Sequence, residues 1–102
     1  MDLFEATELA REYNPPVFYT VTEIKEKSSV SNRELHEEMV GCPAYPLFLK
    51  VGERGWIMCK LSYDTKFHRV HTSLIQSCSP WGNGEDVVTI ETMNTIYVLT
   101  KQ

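Results

Sequence analysis

The hydrophobic pattern of the chain changes from a helical to a strand-like period near Cys42, and this change restricts the fold more than any other feature. Before it, apolar residues recur at spacings of three and four, which is typical of helices that bury one face. After it, apolar and polar residues alternate, which is typical of half-buried strands. We therefore expect a single domain over 1–102, mainly helical and acidic in 1–41 and mainly antiparallel β in 47–101.

Three helices are predicted in the first part of the chain. The first runs from Asp2 to about Tyr13, because two prolines follow at positions 15 and 16. The β-branched and aromatic residues at 17–21 favour a short strand or an extended lead-in, and the second helix then covers 21–27, since Thr-Val-Thr-Glu at 20–23 has the form of a capping box. The third covers 32–40: it has its own capping box, and it is followed by Gly41 at the left-handed cap position. Its outer side carries Glu34, Glu37 and Glu38.

Five strands are predicted in the second part of the chain. They lie at 47–51, 56–61, 67–77, 87–92 and 95–100. Gly52 and Gly55 predict a hairpin loop between the first two strands, and Met93 and Asn94 predict a two-residue turn between the last two. The predicted fold class is α+β, with N-terminal helices packed on a C-terminal antiparallel five-stranded sheet or small barrel.

The long third strand has a regular alternation that predicts its two faces. Odd positions such as Arg69 and His71 are expected on one face. Even positions are expected on the other face; they are His68, Val70, Thr72, Leu74 and Gln76.

The sequence contains no motif that indicates metal or covalent chemistry. His68 and His71 have a spacing found in zinc sites, but positions three apart on a strand face opposite sides. Cys42, Cys59 and Cys78 are odd in number and widely spaced, which favours free thiols in a reducing compartment. We therefore expect no enzyme activity, no cofactor and no bound metal.

Hydropathy and charge argue against a membrane location. The longest apolar run covers 44–49, well short of the roughly 20 residues of a membrane-spanning helix. The acidic start of the chain lacks the basic region of a signal peptide. We therefore expect a cytoplasmic protein.

Negative charge is concentrated at the front of the chain. Residues 1–41 hold nine acidic and four basic side chains, whereas 42–102 hold five and six, for a net charge of -4. An acidic surface repels nucleic acid and attracts proteins that carry basic grooves. The alternative is that these charges only keep the protein soluble, as in a structural virion or host protein.

Basic and aromatic residues are interleaved in the predicted sheet, a composition that some single-strand-binding proteins use. They are Lys50, Arg54, Lys60, Lys66, Arg69 and Lys101, with Trp56, Tyr63, Phe67 and Trp81. Because the net charge is negative, we expect scattered bases and core aromatics here, and direct nucleic-acid binding is not expected.

Three features stand out between residues 19 and 56: Thr-Val-Thr-Glu-Ile at 20–24, Leu35, and Val-Gly-Glu-Arg-Gly-Trp at 51–56. Together they resemble the helix-turn-helix and wing of small phage excisionases. The resemblance implies a DNA-binding regulator that acts as a homodimer. Its DNA contacts would be Arg33, Lys50 and Arg54. Three carboxylates on the helix that would enter the major groove disfavour this alternative.

The second part of the chain contains Thr-Ser-Leu-Ile at 72–75, the segment 87–92 and Asn-Thr-Ile-Tyr-Val-Leu at 94–99. These segments look like the closing strands of small phage and mobile-element proteins. Small acidic phage proteins, such as anti-CRISPR proteins, resemble nucleic acid in charge and block host defence complexes. The main hypothesis is therefore a non-enzymatic inhibitor that covers the basic, nucleic-acid-binding surface of a host nucleic-acid-processing protein or complex.

This hypothesis assigns two kinds of residue to partner binding. Carboxylates would take the place of phosphates, and exposed aromatic side chains would supply buried anchors. The candidate residues are Glu5, Glu8, Glu12, Glu34, Glu37, Glu38, Tyr63, Phe67 and Trp81.

Overall fold

The computed structural model describes residues 17–27, 33–62 and 64–102, and these residues form six β-strands and one α-helix. In chain order the elements are β1 (Tyr19–Glu26), α1 (Arg33–Met39), β2 (Pro43–Phe48), β3 (Arg54–Cys59), β4 (His68–Cys78), β5 (Val87–Thr92) and β6 (Thr95–Lys101). Each strand pairs antiparallel with the next one along the chain. Because β1 also pairs with β6, the sheet closes into a barrel.

The fold class predicted from the sequence is wrong. It places several helices on a five-stranded sheet, whereas the described residues form a closed sheet of six strands with one short helix. The predicted helix over 21–27 is strand β1, and the predicted helix over 2–13 lies outside the described residues. An excisionase-type helix-turn-helix over 19–56 is therefore not formed by the described residues, since its first helix is a strand.

Pairing with β6 explains why β1 is a strand. The register runs from Tyr19 opposite Lys101 to Glu26 opposite Thr95, almost the full length of β1. The pairing also buries the side chains of Tyr19 and Val21 in the core. A two-turn helix is marginal without tertiary support, so the long-range pairing prevails over the local capping box.

The helix predicted over 32–40 is confirmed as α1. Gly41 follows it with a φ of 88°, the left-handed conformation expected of a helix cap. The side chain of Met39 is fully buried in the core, so the end of α1 is packed on the barrel.

The last four strands are confirmed to within two residues at each end, whereas β2 begins four residues before and ends three residues before the predicted strand 47–51. Proline is tolerated there because Pro43 is the first residue of the strand. Pro46 lies beside a shift in register between β2 and β3, which is another place where a strand can lack an N–H donor. The predicted two-residue turn between β5 and β6 is also confirmed.

The alternation predicted for β4 holds only in its first half. Val70 and Thr72 are buried as expected, but Leu74 is 44% exposed and Ile75 is buried. A register shift between β3 and β4 adds one residue to β4 at this point, and such a bulge reverses the faces that follow. The expectation that Leu74 shares the face of Val70 is therefore wrong.

The core fills the inside of the barrel. Its fully buried residues include Val21, Ala44, Ile57, Val88, Ile90 and Leu99. Among the described residues, no helix has both the length and the apolar character needed to cross a membrane.

Candidate functional site

An open groove of about 490 Å³, here called the basic groove, lies beside α1. Strands β3 and β4 contribute Arg54, Arg69 and His71 to its lining. Leu35 and His36 of α1 line it as well. The described residues that line the basic groove include no aspartate or glutamate, so its local charge is positive although the protein carries -4 overall.

The backbone of β4 holds the side chain of Arg54 in place. The Nε–H of Arg54 donates a hydrogen bond to the carbonyl oxygen of Thr72 at 2.9 Å. The Oγ1 of Thr72 in turn accepts from the backbone N–H of Gly55 at 2.8 Å. The remaining guanidinium nitrogens of Arg54 can still donate to an anion, because a guanidinium has five N–H donors.

His71 lies next to both arginines of the basic groove. Two effects lower the pKa of His71 below its usual 6.5. The larger is desolvation of the partly buried ring, and the smaller is repulsion by the charges of Arg54 and Arg69. The two arginines thus lie close enough to His71 to disfavour its positive charge.

Three flat side chains, here called the aromatic strip, lie side by side on the outer face of β2, β3 and β4. Phe48 pairs with Trp56, and Trp56 pairs with His71, so the three occupy directly neighbouring positions. The ring of His71 stands edge-on against the indole of Trp56. The guanidinium of Arg69 lies 5.5 Å from the ring centroid of Trp56, within cation–π distance.

A chain of three polar side chains attaches α1 to the barrel. The Nδ1 of His36 lies 2.6 Å from a carboxylate oxygen of Glu26, and its Nε2 lies 3.0 Å from the hydroxyl of Tyr97. An ionised carboxylate can only accept, so Nδ1 of His36 carries the hydrogen of that bond. Burial raises the pKa of Tyr97 to about 12, so this hydroxyl keeps its proton and is a poor nucleophile.

The outer side of α1 has the opposite charge. Glu34, Glu37 and Glu38 are all exposed, as the sequence predicts. Beside them lies a second recess of about 310 Å³, here called the acidic notch, lined by Ile24, Glu26, His36, Glu37 and Val40. It combines carboxylates with the apolar side chains of Ile24 and Val40.

The aromatic residues predicted as anchors do not come together. Phe67 packs against Phe18 and Tyr45, with ring centroids 5.8 Å and 5.2 Å away, in a cluster on the outside of β2. Trp81 packs against the core after the far end of β4. Of the other predicted site residues, Glu5, Glu8, Glu12 and Tyr63 lie outside the described residues.

The thiols and histidines of the described residues show no grouping that could hold a metal ion. Cys42, Cys59 and Cys78 are free. Burial raises the pKa of the Cys59 thiol to about 12, which suppresses the reactive thiolate. His68 lies 2.8 Å from Asp64 in a partly exposed pair, and His71 points into the groove region instead.

The aromatic strip cannot be predicted from the sequence pattern, because it depends on strand register. Phe48 and Trp56 pair only because a bulge follows Pro46. The alternation of β4 does place Arg69 and His71 on one face, and this is the sequence signal that points to the groove.

Comparisons with protein-family models, with curated proteins and with solved structures found no match to this chain.

Proposed function

We propose that this protein is a non-enzymatic inhibitor that binds a basic, nucleic-acid-binding surface of another protein through the outer side of α1. The observation that carries the proposal is the acidic notch beside three exposed carboxylates. The resemblance of the chain to small acidic phage proteins favours a bacterial defence complex as the partner and the host cytoplasm as the place of action.

The notch fits the side chain of an arginine or lysine. Such side chains bury their aliphatic stems along apolar surfaces and keep their charged ends beside polar groups. Ile24 and Val40 offer the apolar walls, and Glu37 offers a carboxylate at the same recess. Charge-assisted hydrogen bonds from a guanidinium to a carboxylate are among the strong ones, especially when both groups are partly desolvated.

The carboxylates of α1 are presented by a fixed element. Met39 anchors the end of α1 in the core, and buried His36 bonds to both Glu26 and Tyr97. A preorganised charged surface loses less conformational entropy on binding than a mobile one does. The same carboxylates steer encounter with a basic partner, so we expect an on-rate that falls with salt.

The test is charge reversal on α1. We expect the triple variant Glu34→Lys, Glu37→Lys, Glu38→Lys to lose recovery of a basic nucleic-acid-binding protein from nuclease-treated bacterial lysate at low salt. With the recovered partner in hand, the wild type should compete with its nucleic acid, and the variant should compete at least tenfold less well, about 1.4 kcal/mol.

The matched control reverses three carboxylates away from α1, namely Glu53, Glu85 and Asp86. This control should bind like the wild type. The proposal is contradicted if both triple variants bind the partner equally well, or if the affinity of the wild type does not change with salt.

A further inference from the structure

We propose that the basic groove and the aromatic strip together form a binding site for a short single-stranded nucleic acid. The residues that would contact this ligand lie on β2, β3 and β4, although the basic groove borders α1 and shares His36 with the acidic notch. They differ from the carboxylates of the protein-binding surface proposed above, so the test uses a different ligand and different variants.

The phosphate contacts come from the two arginines of the basic groove. Arg54, Arg69 and His71 all line the basic groove, and no described lining residue carries a negative charge. Arg54 is held by its bond to Thr72, and Arg69 is placed over Trp56. Guanidiniums held in place can donate two parallel hydrogen bonds to one phosphate without a large loss of side-chain freedom.

The base contacts come from the aromatic strip. Phe48 is 38% exposed, and its cross-strand neighbour Trp56 is half-buried. Bases stack on such rings with little sequence preference, because every base has a flat π-face. An outer sheet face with adjacent aromatic rings and flanking arginines is the arrangement that single-strand-binding domains use.

The adjacency of rings and guanidiniums favours a nucleic acid over an acidic peptide. Both ligands would satisfy Arg54 and Arg69, but only a nucleic acid supplies flat rings at short intervals along the same chain. The negative net charge does not prevent binding, because the field is set locally; it does make the affinity modest and strongly dependent on salt.

The experiment titrates oligothymidylate of about eight nucleotides, a usual site size for small single-strand-binding barrels. Trp56 and Trp81 are the two tryptophans of the chain, so Trp81→Phe leaves Trp56 as the only indole reporter. We expect quenching of Trp56 emission, and a plot of log affinity against log salt with a slope of about −1.4 for two phosphate contacts.

Three variants and one altered ligand make the test specific. Arg54→Ala and Arg69→Ala should each reduce the steepness of the salt slope by about 0.7. The control Lys101→Ala removes the same charge from a residue that does not line the groove, and it should bind like the parent. An abasic oligonucleotide of the same length should bind about tenfold more weakly, because it lacks the stacking bases.

Other results would overturn the proposal. Equal affinity for the abasic and normal oligonucleotides would reduce the site to an anion site. Tighter binding of a polyglutamate peptide would assign the groove to an acidic peptide instead. The site would also be ruled out if the parent protein, shown to be folded by circular dichroism, gave neither quenching nor binding at low salt.

Discussion

At the scale of single residues, Gly55 shows how closely β3 and β4 approach each other at the basic groove. A Cβ atom added there would lie 2.9 Å from Cδ1 of Ile75 and 3.0 Å from Oγ1 of Thr72. Since both neighbours are buried, we expect Gly55→Ala to lower the free energy of unfolding by about 1–3 kcal/mol. Urea denaturation measures this change.

The control for this prediction removes the atom that would clash. Ile75→Val deletes Cδ1 and by itself lowers stability by about 1 kcal/mol. The double variant should then be less destabilised than the sum of the two single variants, because the clash is relieved. Strict additivity would mean that this contact does not limit the space at Gly55.

The same part of β4 shows what single-residue patterns could predict. The alternation of Val70 and Thr72 with Arg69 and His71 correctly assigns the faces of the first half of the strand. The bulge opposite Gly55 then inserts one residue, and Leu74 turns to the outside. Alternation carries no signal for an inserted residue, because the bulge depends on how the neighbouring strand packs.

At the scale of elements, the attachment of α1 depends on the chain from Glu26 through His36 to Tyr97. Tyr97→Phe removes the hydroxyl that is hydrogen-bonded to Nε2 of His36 and leaves this buried ring nitrogen unpaired in that contact. We expect the free energy of unfolding to fall by about 1–2 kcal/mol. Thermal or urea denaturation of the variant at neutral pH tests this value.

A double-mutant cycle separates this bond from other effects of the substitution. In a His36→Ala background the ring nitrogen that bonds to this hydroxyl is already gone, so Tyr97→Phe should cost much less than it does in the wild type. A coupling energy of about 1 kcal/mol is expected for two residues in direct contact. If the two substitutions are additive, the bond does not hold α1 to the barrel.

Signals in the local sequence are sufficient to predict the helix α1 but insufficient to predict the full strand β1. The start of α1 and its end at Gly41 are encoded within ten residues, so the sequence alone predicts them. The strand state of β1 depends on β6, whose paired residues lie 69 to 82 positions away in the chain. The capping box at 20–23 is a genuine local preference, but it forms too few hydrogen bonds to compete with that pairing.

At the scale of the whole molecule, the fold reorganises a charge pattern that the sequence shows as acidic in front and neutral behind. The barrel brings Arg54 and Arg69 into one groove beside α1, whose outer side carries the carboxylates. A net charge of -4 therefore hides two surfaces of opposite sign. Net charge describes solubility and long-range steering, whereas binding depends on how the fold distributes the charges.

The barrel interior also predicts how stability responds to alkaline pH. Burial raises the pKa of the Cys59 thiol from 9.0 to about 12 and that of the Tyr97 hydroxyl from 10.0 to about 12. Each group keeps its proton in the folded state at a pH where the unfolded state has lost it. The stability is thus fully present below about pH 9 and falls as the pH rises towards 12.

The size of this loss can be tested with two substitutions. Tyr97 alone should account for about 3 kcal/mol between its unfolded and folded pKa values, at 1.36 kcal/mol per unit. Urea denaturation at a series of pH values should therefore show a steep fall for the wild type and a much shallower one for Cys59→Ala, Tyr97→Phe. Cys78 and Tyr19, whose pKa values burial also raises, leave the variant a residual slope. If wild type and variant lose stability in parallel, these two buried groups do not control the alkaline transition, and exposed groups do.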